Sequence, residues 1–144
     1  MSELSLRPED WLAHRAPFLF LDEMLEIYPG LRAVGRWTLR EDLDFFAGHF
    51  PHQPVTPGVL LIESLAQCGA VAVLSDPRYH GSLPLFGGID SARFRRQVLP
   101  GDTVTLECDL SSLSSRGGKG HGVVRRGDEV CATADIFFVI APAP

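Results

Sequence analysis

Cysteine is scarce in this chain: Cys68, Cys108 and Cys131 are its only three among 144 residues. They are too few and too scattered for a disulfide framework, and none forms a CxxC pair with metal-ligand spacing. The sequence therefore predicts no metal site and a reducing, cytoplasmic setting. Positive charge is also in short supply. Thirteen Lys and Arg against eighteen Asp and Glu leave a net charge of −5. That balance disfavours nucleic acid and anionic membranes as partners, because both reward clustered cations. Met1-Ser2-Glu3-Leu4-Ser5 has neither the basic flank nor the apolar core of a secretory signal, so none is expected. The most apolar stretch, Val59 to Leu74, is broken by Glu63, Ser64 and Gln67 and falls short of the roughly 20 residues of a bilayer crossing. Internal repeats and low-complexity blocks are missing as well. Small molecules and proteins remain as partners.

What is present describes a folded globular chain, with 45% hydrophobic and 22% charged residues. The length suits one domain over residues 1–144, ending in a short Ala-Pro tail at 141–144. Pro8-Glu9-Asp10 has the composition of a helical first turn and predicts a short helix over about 7–15. Phe18 to Ile27 is apolar enough for a strand, and Tyr28-Pro29-Gly30 signals a turn. Leu31, Ala33, Gly35, Trp37 and Leu39 then alternate with mostly polar residues, the period of a half-buried strand. The three prolines between Asp42 and Pro57 predict an ordered loop. Thr56-Pro57-Gly58 offers a capping hydroxyl and a proline at a helix start, and no further proline appears before Leu74. A helix over about 57–74, apolar around most of its circumference, belongs inside the molecule rather than on its surface. Beyond Pro84, alternations at Val104–Leu110 and Val130–Ile140, with glycine turns between, predict antiparallel strands. One buried helix after a hairpin, followed by several strands, is an α+β fold with a curved sheet around a central helix.

The chemistry concentrates between Phe45 and Gln67. His49 is a titratable group in a proline-fixed loop, and Glu63 is a lone carboxyl flanked by Val59, Leu60, Leu61, Ile62 and Leu65. Burying a carboxylate there without a partner would raise its pKa or destabilise the fold. Gln67 follows one helical turn later on the same face, making a narrow polar stripe on an apolar cylinder. Taken alone, a loop histidine is more often structural or solvated than catalytic. A helical Glu with a Gln one turn on is as readily a satisfied polar pair.

The motifs taken together are more specific. Gly48-His49-Phe50-Pro51, Pro54-Val55-Thr56-Pro57-Gly58-Val59-Leu60 and Ile62-Glu63-Ser64-Leu65-Ala66-Gln67 resemble the β-hydroxyacyl-acyl carrier protein dehydratases of type II fatty acid synthesis. So do His14-Arg15-Ala16-Pro17-Phe18-Leu19, the run Gly88 to Arg96, and Val98-Leu99-Pro100-Gly101-Asp102. The resemblance spans about residues 12 to 140 in the family's order.

That resemblance implies the hotdog fold, a long helix wrapped by an antiparallel sheet. It also implies a homodimer, assembled in many members into a trimer of dimers, with the histidine and carboxylate of one site drawn from different subunits. The implied reaction is dehydration of a (3R)-hydroxyacyl thioester on acyl carrier protein to the trans-2-enoyl thioester, without metal or redox cofactor. The phosphopantetheine arm belongs to the carrier. His49 would take the C2 proton and Glu63 would protonate the departing hydroxyl; imidazole suits a base at neutral pH. The N–H of Gly58 would meet charge on the thioester oxygen, and the Val55 carbonyl would orient the His49 ring. Gln67, Phe86 and Ile89 are expected against the substrate. Arg93, Arg95 and Arg96 form either a solvated strand face or a docking patch for the acidic carrier protein.

Glu rather than Asp at position 63 favours plain dehydration over the combined dehydration and isomerisation of a related family. His52 stands where the family commonly has Gly, and Thr56 where Met is common, which predicts an altered pocket entrance or chain preference; His52 itself reads as a loop variation. His14 and His121 are assigned structural roles, and His80 an exposed loop. The rival readings are a hotdog acyl thioesterase, which would release free thiol, and a non-catalytic acyl-thioester-binding hotdog protein.

Overall fold

The computed structural model of the protein describes residues 4–142. Six antiparallel strands form one sheet: β1 (Glu23–Tyr28), β2 (Arg32–Thr38), β3 (Leu83–Phe94), β4 (Thr103–Ser114), β5 (Gly117–Arg126) and β6 (Glu129–Ala141). Their spatial order is β1-β2-β4-β5-β6-β3. Among the described residues a single α-helix, α1 (Gly58–Leu74), packs against the sheet. This is the hotdog architecture, an α+β fold. Of the Ala-Pro tail, Ala141 closes β6 and residues 143–144 lie outside the described residues.

The helix is enclosed because its circumference is apolar: Leu65, Cys68, Val71, Ala72 and Val73 have no exposed surface. It sits close to the sheet through glycine. A Cβ on Gly69 would lie 2.8 Å from Cys108 Sγ, and one on Gly122 would lie 2.8 Å from Leu65 Cδ1. Removing those methyl groups lets helix and strands approach without voids. Alternation on β2 and β4 points Ala33, Trp37, Val104, Leu106 and Cys108 inward onto the helix.

Three expectations are corrected. The segment about 7–15 holds only a three-residue 3-10 turn, Pro8–Asp10, because Ser5 bonds Asp10 and the chain turns away after Trp11. The strand expected from Phe18 starts at Glu23 instead. The Phe18 carbonyl and both backbone groups of Phe20 are satisfied by helix side chains rather than by a neighbouring strand. The Thr56 hydroxyl does not cap α1: Pro57 occupies the cap position, Gly58 is the first helical residue, and Thr56 Oγ1 is buried without a partner among the described residues. The Thr56 N–H bonds the Val98 carbonyl, which turns this residue toward the interior.

β3 forms one edge of the sheet and, among the described residues, is bonded only to β6. Its outer surface is apolar and open, with Leu85, Phe86, Ile89 and Phe94 each 42–53% exposed. Edges of this kind invite another strand.

Candidate active site

His49 sits after the short 3-10 turn Asp44–Ala47, in a loop whose backbone is turned sharply at Phe50, the one non-glycine residue with positive φ (65°) among the described residues. The half-buried His49 ring is tethered by Nδ1 to the Val55 carbonyl at 2.8 Å. A carbonyl only accepts, so Nδ1 carries the proton and Nε2 presents a bare lone pair. The tether thus fixes both ring plane and tautomer, and makes the free nitrogen a base. The cavity beside it is lined by Val55, Thr56, Gly58, Phe94, Arg95 and Arg96. Gly58 opens α1, where the first N–H groups have no intrahelical acceptor and the helix dipole is positive. Its missing Cβ leaves room for the Phe94 ring, which such an atom would approach to 2.7 Å.

Glu63 lies five residues further along α1 and lines a different cavity, of about 220 Å³. Around it stand His14, Phe18 and Phe86, and the cavity continues past Ala66, Cys108 and Phe138. That lining is largely apolar, and its volume is roughly fifteen times what one water needs. Glu63 Oε2 accepts from Gln67 Nε2 at 2.8 Å, and His14 Nε2 is 3.5 Å from the same oxygen. The carboxyl is 18% exposed.

Within one chain His49 and Glu63 therefore line separate cavities. Val55 and Gly58 fall beside His49; Gln67 and Phe86 fall beside Glu63. Ile89 lines neither of these cavities and stands exposed on β3. Arg95 and Arg96 border the His49 cavity, with Arg96 Nε 3.0 Å from Glu129, while Arg93 is exposed on β3. Among the other histidines, His52 and His80 are exposed, and His80 lies 6.0 Å from the Trp11 ring. His121 bonds Asp135 at 2.7 Å and, with Ser91, holds that carboxyl below its usual range. Sequence reasoning set His14 aside as structural. It stands 49 residues before Glu63, and no local spacing links the two.

No group of three or more His, Cys, Asp or Glu able to hold a metal occurs among the described residues. No helix there is long and apolar enough to cross a membrane.

The model of the FabA-like domain family matches residues 12–135. The chain is 50% identical over 129 residues to the 3-hydroxyacyl-[acyl-carrier-protein] dehydratase FabZ of Moorella thermoacetica, covering 90% of each protein. It is 48% identical over 138 residues to the protein of the same name from Herpetosiphon aurantiacus, covering 94% of this chain and 98% of that one. Among solved structures, a chain of the dehydratase heterocomplex ApeI:P from Xenorhabdus doucetiae superposes with a TM-score of 0.81 at 18% identity, covering 94% and 91% of the two chains. At that identity the likeness is one of fold.

Proposed function

The chain belongs to the FabA-like domain family, and from that membership we propose how its residues divide the work of expelling water from a 3-hydroxyacyl thioester. The protein is a 3-hydroxyacyl-[acyl-carrier-protein] dehydratase of fatty acid biosynthesis. Its reaction needs a base for the weakly acidic C2 proton and an acid for hydroxide, a poor leaving group. His49 Nε2 takes the C2 proton, the electron pair forms the C2–C3 double bond, and the C3–O bond breaks as Glu63 delivers its proton to the departing oxygen. Water leaves, and the proton returns from imidazolium to carboxylate before the next turnover. The Gly58 N–H meets negative charge gathering on the thioester oxygen. One observation carries the base assignment: the 2.8 Å tether of Nδ1 to Val55, which leaves Nε2 unprotonated.

The two groups meet in a homodimer. β3 runs from one cavity to the other, with Leu85 and Phe86 lining the Glu63 cavity and Phe94 lining the His49 cavity. Antiparallel pairing of β3 with a copy of itself sets the Phe94 end of one chain beside the Phe86 end of the other. It covers the exposed apolar edge in the same step. Each resulting site holds His49 of one protomer and Glu63 of its partner. Further assembly into a trimer of dimers fits the same frame. Arg93 and Arg95, unpaired among the described residues, and Arg96 beside them offer a cationic rim to the acidic carrier protein that brings the substrate on its phosphopantetheine arm. The chemistry requires no metal or redox cofactor, and a cytoplasmic location follows from the pathway.

His49→Ala and Glu63→Ala are each expected to abolish enoyl thioester formation, a loss of about 10²-fold or more for a general acid or base, while the protein stays folded and oligomeric. Absorbance of the enoyl thioester reads dehydration, and a thiol reagent in parallel reads hydrolysis. Near-wild-type turnover by either variant would remove that residue from its role, and thiol release without enoyl formation would make the enzyme a thioesterase.

A further inference from the structure

Resting on the reading of Glu63 as the acid, we infer that Gln67 is a positioning residue that confines the Glu63 proton to Oε1, the oxygen free to meet substrate. The side chain of Gln67 is buried, with the residue 1% exposed, and its hydrogen-bonding capacity is used within the chain. Its Oε1 accepts from the Phe20 N–H at 2.8 Å; its Nε2 donates to the Phe18 carbonyl at 2.9 Å and to Glu63 Oε2 at 2.8 Å. These partners decide which way the amide points. Turned over, it would set carbonyl oxygen against the Phe18 carbonyl and Glu63, and NH₂ against the Phe20 N–H, three like-against-like contacts. The backbone of residues 18–20 therefore dictates that Gln67 meets Glu63 as a donor.

A donor on Oε2 makes that oxygen an acceptor, so a neutral Glu63 carries its proton on Oε1. Among the described residues Oε1 has no hydrogen-bond partner, and it is not among the buried unsatisfied atoms. His14 supports the same arrangement from the other side. Its Nδ1 is buried without a partner among the described residues, and a buried nitrogen costs less as a bare lone pair than as an orphaned N–H. That places the His14 proton on Nε2, 3.5 Å from Oε2. The extended segment Phe18–Phe20 thus acts at a distance: it sets an amide, the amide sets a carboxyl, and the carboxyl presents its proton to the hydroxyl.

The test compares Gln67→Met, which keeps bulk and loses the donor, with Ser64→Ala. Ser64 Oγ bonds the Phe20 carbonyl at 2.9 Å, so the control removes a neighbouring bond to the same segment while the Gln67 bonds to Phe18, Phe20 and Glu63 stay in place. Gln67→Met is expected to lower kcat about 10- to 100-fold, the size of effect that loss of outer-shell orientation produces. KM should stay within about threefold, because the interaction acts on the acid rather than on ground-state binding. Ser64→Ala should keep kcat within about threefold. Gln67→Glu should gain activity relative to wild type on acidification, as protonation restores a donor at that position.

Full kcat in Gln67→Met, or an equal loss in Ser64→Ala, overturns the inference. If Gln67→Met fails to fold, the side-chain amide protons of Gln67 are followed by NMR in the wild type and in Glu63→Gln. They must shift between the two, and unchanged resonances overturn the inference. Failure here leaves Glu63 as the acid, whereas full turnover by Glu63→Ala removes the acid itself.

Discussion

In the mechanism proposed for this enzyme, two side chains take the position of their proton from a neighbouring backbone. The Val55 carbonyl selects the His49 tautomer, and the Phe18 and Phe20 backbone selects the Gln67 orientation that acts on Glu63. Gly58 belongs at the same scale because its role rests on an absent atom. Glycine in a helix is weaker than alanine by roughly 0.5–1 kcal/mol, so Gly58→Ala should hold or raise the melting temperature. The added Cβ, however, meets the Phe94 ring at 2.7 Å, and half-exposed Phe94 yields by swinging into the cavity beside His49. The expected outcome is an unchanged or higher melting temperature with kcat/KM lowered about 10-fold or more, since the donor and the base lose their geometry. A fall in both would make Gly58 a packing residue only. The Glu63–Gln67 contact was legible in the sequence because helical spacing is local, and the Val55 tether of His49 was implied by the family resemblance. His14 was not, since its contact with Glu63 depends on the path of a segment far away in the chain. Thr56 misled because a hydroxyl before a proline has the composition of a cap, while its geometry is decided by the bond from its N–H to Val98.

At the scale of elements, α1 was legible to within a residue, 57–74 expected against Gly58–Leu74 found, because an unbroken apolar run between a proline and a polar stop has few alternatives. The β1–β2 hairpin was legible from its turn and its alternation, though β1 starts later because helix side chains compete for the backbone of residues 18–20. The contact of α1 with β2 and β4 buries two thiols. Cys68 Sγ donates to the carbonyls of Ala33 and Leu106 at 3.3 Å, and Cys108 Sγ lies against Gly69. Burial pushes the Cys68 thiol well up, and burial, with the Asp109 charge, pushes Cys108 up to about 12 from a usual 9.0. The folded protein keeps these protons where the unfolded chain releases them. Stability is therefore complete below about pH 9 and declines as pH rises toward 12, by up to about 1.4 kcal/mol per pH unit for each thiol. Urea melts between about pH 8 and about pH 10 should show a shallower decline for Cys108→Ala than for wild type. Parallel slopes would mean that Cys108 is ionised as easily in the folded state as in the unfolded one.

At the scale of the molecule, the proposed homodimer makes a single chain half of two sites. Periodicity could not reveal this, because the pattern of β3 describes only what the strand buries within its own chain, and most of β3 is exposed. The physical trace of a partner is the apolar edge itself, Leu85 through Phe94, joining the cavity of Glu63 to the cavity of His49. If two copies pair along that edge, each site takes one residue from each chain, and two inactive variants can repair one another. His49→Ala and Glu63→Ala, mixed in equal amounts, dissociated and reassembled, give mixed dimers in about half the population. A mixed dimer contains one site with both functional residues and one with neither, so about a quarter of wild-type activity should return. Were His49 and Glu63 to act within the same chain, every site in the mixture would lack one of them, and no activity would return. Ile89→Lys provides the matching loss: a charge at the centre of the exposed edge should disrupt the dimer in sedimentation and abolish turnover together, although Ile89 lines neither cavity in the single chain.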